Sequence, residues 1–82
     1  MKTARLRRLI ETSGLEPADL AEQAGVSEIR LIQLLDARMV EANLRLKTLM
    51  RILGVIAIKT GRPLKTLLAE ALREDLEVMA QH

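Results

Sequence analysis

Apolar residues along this chain fall into clusters with helical spacing, separated by glycine, proline and capping residues. Leu6, Leu9 and Ile10 recur at three- and four-residue intervals ahead of Gly14, which predicts a first helix over residues 4–13. Pro17 suits the first turn of a second helix, where a missing N–H leaves nothing unsatisfied. That helix turns Leu20, Ala21 and Ala24 inward and stops at Gly25. Ser27 is a good cap for a third helix, with Leu31, Leu34 and Leu35 on one face and an end near Ala37. Asn43 is expected to cap a fourth, which buries Leu46, Leu49, Met50 and Leu53 and terminates at Gly54. Residues 55–58 are too few for a helix of their own and read as an extended segment. Pro63 then opens a fifth helix whose Leu64, Leu67, Leu68, Ala71, Leu72, Leu76 and Met79 form a broad apolar stripe. The expectation is an all-α fold of five helices, with residues 1–54 and 55–82 in one compact unit.

At 82 residues the chain is near the lower limit for a single hydrophobic core, so one domain is expected. Phe, Tyr and Trp are absent, and the core must be built from Leu, Ile, Val, Met and Ala. The absence of cysteine excludes disulfides, thiolate catalysis and thiolate metal sites, and suggests an intracellular protein. Lys2, Arg5, Arg7 and Arg8 imitate the basic front of an export signal, but Glu11 falls where its apolar stretch should begin. The longest apolar run, residues 52–58, is far below the roughly 20 residues that span a bilayer. A soluble, cytoplasmic protein without membrane contact is expected. The lone histidine, His82, reads as a solvated chain end. No Ser or His is placed beside a base and no phosphate-cradling glycine loop is present, while Asp19 with Glu22 is a solvated helix edge. The chain is therefore not expected to be an enzyme, nor to use a cofactor, a metal or a small-molecule substrate.

Charge sharpens this picture. The net charge is only +2, yet in residues 38–65 Arg38, Arg45, Lys47, Arg51, Lys59, Arg62 and Lys65 stand against Glu41 alone. Gathered on one face, they would attract a polyanion.

Residues 17–36 carry the most specific signal. Two short helices are joined there by a turn too tight for most sequences: small Ala21 permits close approach, Gly25 suits a left-handed backbone, and Val26, Leu31 and Leu34 fill the angle. The run Leu20-Ala21, Gly25-Val26-Ser27, then Leu31 and Leu34 resembles the helix-turn-helix of the Cro/repressor (XRE-like) family, with a likeness from the first helix to Gly54, about two thirds of the chain. The resemblance implies a lambda-repressor-like domain whose third helix enters the DNA major groove, with Ser27, Glu28, Ile29, Arg30, Ile32 and Gln33 facing base edges. Arg30 can bridge guanine O6 and N7, Gln33 can pair with adenine, and Ile29 or Ile32 can touch a thymine methyl. Glu28 departs from this chemistry, because phosphates repel a carboxylate and only a cytosine amino group rewards it. Pro17 stands where the family often has a phosphate-gripping glutamine, and Leu35 where it often has glutamate. Arg38, Arg45 and Lys47, with Arg5 and Arg8 on the flank, are the candidate phosphate contacts.

Two further signals lie downstream. Gly61-Arg62-Pro63 looks like the centre of an AT-hook, although a turn leading into a helix explains it more simply. Val55, Ile56, Ile58, Leu64, Leu68, Leu72, Leu76 and Met79 offer more apolar surface than so small a body needs, which suggests a homodimer interface, with residues 55–58 pairing as a ribbon. The alternative is that the last helix folds back over Leu35. The expected function is sequence-specific binding of double-stranded DNA by a homodimeric transcriptional regulator, a repressor by steric occupancy. The alternatives are an antitoxin-like regulator that binds a toxin and its own operator, or a protein-interaction module that has lost DNA binding.

Overall fold

Among the described residues, Ser27 makes the one side-chain cap hydrogen bond at a helix start and Pro17 opens the helix that has proline in its first turn, while the longest helix continues for as long as its apolar face meets the core. The computed structural model describes residues 1–81; the expectation for His82 falls outside the described residues. These form α1 (Ala4–Ser13), α2 (Pro17–Ala24), α3 (Glu28–Leu35), α4 (Leu46–Thr60), α5 (Leu64–Ala71) and α6 (Arg73–Ala80). The all-helical class is as expected, and no strand forms among the described residues beyond an isolated antiparallel bridge between Lys2 and Glu41. No described helix is long and apolar enough to cross a membrane.

The first three helices keep the expected starts. α1 buries Leu6, Leu9, Ile10 and Ser13. α2 has Pro17 in its first turn and buries Leu20, Ala21 and Ala24. Gly25 takes φ +68, and the Val26 N–H donates to the Ala21 carbonyl at 3.0 Å, so the chain reverses within three residues. The Ser27 hydroxyl then accepts from the Arg30 N–H at 3.3 Å and starts α3, which buries Leu31 and Leu34. α3 ends at Leu35, two residues short of the expected Ala37.

The second half departs from the expectation. Gly54 does not end α4, and residues 55–58 are helical, not extended. The cap is Arg45, not Asn43, and the stop is Gly61 at φ +73. The cause is the apolar face: Leu49, Ile52, Leu53 and Ile56 are all buried at helical spacing, so the core continues past the glycine. A mid-helix glycine costs about 1 kcal/mol relative to alanine, less than burying one large aliphatic side chain contributes. The 54/55 position proposed to divide the chain thus lies inside one helix. The expected single C-terminal helix is also divided, at Leu72 (φ −96, ψ 6). α5 buries Leu67 and Ala71, whereas α6 buries no residue. Instead α6 meets the N-terminus through charge: the Lys2 N–H donates to Asp75 Oδ1 at 3.3 Å, and Arg5 Nε lies 3.7 Å from Glu74.

α4 is the spine, packed against α1, α2 and α5. The loop between α3 and α4 is held by the N-terminal residues. The Thr3 N–H donates to the Val40 carbonyl at 3.2 Å, its buried hydroxyl donates to the Met39 carbonyl, and Arg7 Nη1 donates to the Asp36 carbonyl at 3.3 Å. These bonds set where the chain enters α4.

Gly54 and Gly25 separate the two uses of glycine. A Cβ at Gly54 meets nothing within 4 Å and its φ is not positive. Gly54→Ala is expected to raise unfolding stability by about 0.5–1 kcal/mol. Gly25→Ala, forced into the left-handed region, should lower it by about 1–2 kcal/mol. Urea midpoints at constant m-value check both signs.

Candidate nucleic-acid interface

The α3–α4 loop brings the start of α4 beside the start of α3, and a cleft of about 540 Å³ opens between them. From the α3 side it is lined by Ser27, Ile29, Arg30 and Gln33, and from the loop and α4 by Asn43, Arg45, Thr48 and Arg51. Val26 and Leu44, both half-buried against the core, also line it. Three guanidinium groups therefore converge on one concavity that no carboxylate lines. None of the three forms an ion pair among the described residues. Such a site concentrates positive potential and favours an anion with several charged oxygens.

Arg30 is not free in this cleft. Its Nη2 donates to the Asn43 carbonyl at 2.8 Å, which ties the third residue of α3 to the segment leading into α4. Among the other residues expected at base edges, Ser27 spends its hydroxyl on the α3 cap. Ile29 and Ile32 are 70% and 52% exposed. Gln33 is exposed inside the cleft, whereas Glu28 and Ile32 lie outside its lining.

The expected phosphate contacts divide into three kinds. Arg45 lies in the cleft. Lys47 and Arg8 are exposed but do not line it. Arg5 and Arg38 face carboxylates of their own chain: Arg5 lies beside Glu74, and Arg38 Nη2 is 2.8 Å from Asp36 Oδ2. The Arg38 guanidinium and backbone N–H hold the Asp36 carboxyl down at about 2. Arg51 and Thr48 also line the cleft and are not among the expected site residues. Their signal is a spacing of three on one flank of α4, but it has meaning only once α3 is known to lie alongside.

The opposite sign gathers at α2, where Glu16 just before the helix and Asp19 and Glu22 within it are exposed and form no ion pair among the described residues. With Pro17 in its first turn, α2 presents carboxylates and no cation. Arg62 is similarly committed, with Nη2 2.6 Å from Glu70 Oε2 in the turn between α4 and α5. Gly61 and Pro63 there cap two helices, so the AT-hook-like triplet is a helix connection.

The residues expected to form a dimer interface are dispersed. Ile56 is only 1% exposed and belongs to the core, because α4 continues where an extended ribbon was expected. Val55, Leu64, Leu68 and Leu72 pack partly against that core. Ile58, Leu76 and Met79, together with Val78, remain exposed.

Replacing Arg38 with alanine should release Asp36, and a carboxyl-carbon NMR titration should show its midpoint rising from about 2 toward the ordinary 3.9. A depressed folded-state value stabilises above the unfolded pKa and is lost as pH falls toward 2, so the acid limb of stability should lie at slightly higher pH in the variant. The chain matches no protein-family model, no curated protein and no solved structure.

Proposed function

We propose that this protein is a DNA-binding transcriptional regulator of the Cro/repressor helix-turn-helix kind, acting on duplex DNA as a homodimer and repressing by occupying its site. The observation that carries this reading is the cleft between α3 and α4, where Arg30, Arg45 and Arg51 converge without a carboxylate beside the exposed face of α3. Phosphates neutralised in this cleft would fix the register of α3, and its outward side chains would then meet base edges in the major groove. The tight turn at Gly25 and the N-terminal bonds to the α3–α4 loop support this arrangement, because they hold both walls of the cleft in fixed relation. Two protomers presenting α3 about 34 Å apart would engage successive turns of one face of the duplex.

Exposed Leu76, Val78 and Met79 on α6 favour a protein contact in addition. In the homodimer reading that contact is a second copy. In an antitoxin-like reading it is a separate partner, with DNA binding retained. If DNA binding has been lost, the same surface serves an interaction module.

Fluorescence anisotropy of a labelled random duplex at about 50 and 200 mM salt tests the proposal. With about three phosphate contacts per protomer, affinity should fall by at least roughly 40-fold between the two conditions. Absence of binding at both salts refutes the DNA reading and leaves the interaction module.

A further inference from the structure

The orientation of α3 and the bond from Arg30 to Asn43 bear on which side chains can read sequence, and the inference drawn here rests on the DNA-binding reading above. At about 100° per residue, the direction opposite buried Leu31 and Leu34 is occupied by Ile29, with Ile32 and Gln33 about 50° to either side. Arg30 lies beyond Gln33, about 110° from that direction and beside the start of α4, and its guanidinium is already bonded to the Asn43 carbonyl at 2.8 Å. A bidentate contact to guanine needs the guanidinium fork presented outward along the groove. Arg30 instead leans along the cleft that Arg45 and Arg51 share. Its neighbours there include the two other guanidinium groups, which suit phosphate oxygens, while Ile29 and Gln33 form the outward edge of α3 along the same cleft. The centre of the exposed face contains one amide and two aliphatic side chains, and no cation.

We infer that Arg30 belongs to the phosphate clamp with Arg45 and Arg51, and that bases are read by Ile29, Ile32 and Gln33. Guanine-directed chemistry is then missing from the centre of α3. Gln33 pairs bidentately with adenine N6 and N7, while Ile29 and Ile32 pack against thymine methyl groups. The half-site this protein prefers presents adenine and thymine to α3.

Selection of bound duplexes from a random pool, followed by anisotropy on the selected site, tests this. Adenine and thymine should be enriched at the positions facing α3. Replacing the contacted thymines with uracil, which removes only the methyl, should weaken binding several-fold. Gln33→Ala should lower the preference for the selected over a random duplex by roughly tenfold. Arg30→Ala should weaken both duplexes by the same factor and reduce the magnitude of the salt slope by about one, whereas Arg30→Lys should keep that slope. Circular dichroism of each variant establishes that it is folded; these positions are all exposed. Selected sites rich in guanine, with Arg30→Ala removing the preference, overturn the assignment while leaving DNA binding intact. Failure of every duplex to bind in a salt-dependent way overturns both.

Discussion

The continuous burial of one face of α4 is the constraint on which the rest of this structure depends. Leu49, Ile52, Leu53 and Ile56 supply four nearly inaccessible side chains to a core that contains no aromatic residue. Branched aliphatics fill such a core only by close interdigitation, so α1, α2 and α5 must all approach the same helix. The length of α4 follows from this, as does the position of its first turn, where one wall of the arginine cleft is built. A helix stopping at Gly54 would leave Ile56 without its place in the core.

Charge is distributed by the same geometry. The N-terminal residues are basic and the C-terminal helix acidic, and the fold sets them against each other: Arg5 beside Glu74, and the Lys2 amide on Asp75. Arg38 and Arg62 are likewise met by Asp36 and Glu70. What is left over is therefore informative. The described arginines free of carboxylates include the three that line the α3–α4 cleft, while the unpaired carboxylates of α2 lie on a separate helix. A net charge of +2 conceals this polarity. Exposed ion pairs contribute little to stability, so the pairing matters chiefly because it decides which cations remain available to a ligand.

Local punctuation was legible where one residue decides the backbone. Pro17 and Ser27 start α2 and α3, and Gly25 turns the chain between them, because a missing N–H, a hydroxyl acceptor and a left-handed φ are properties of the residue itself. Gly54 misled because a glycine signals only that a helix can end there. Whether it ends depends on whether the next apolar residues meet a core. Leu72 misled in the opposite sense, since nothing in its own chemistry interrupts a helix. The interruption accompanies the contacts of Glu74 with Arg5 and of Asp75 with the Lys2 amide, more than sixty residues earlier.

The candidate site shows the same division. From sequence alone came the helical class, the α2–turn–α3 unit, the exposed positions of α3 and the excess of cations after it, all of which follow from residue type and short-range spacing. Only the tertiary structure decided that Arg51 and Thr48 join Arg45 at the cleft, that Arg30 is tied to Asn43, that Arg5 and Arg38 face their own carboxylates, and that Ile56 is core. Each of these depends on which distant segment a side chain meets. That is set by packing around α4, and no local pattern encodes it.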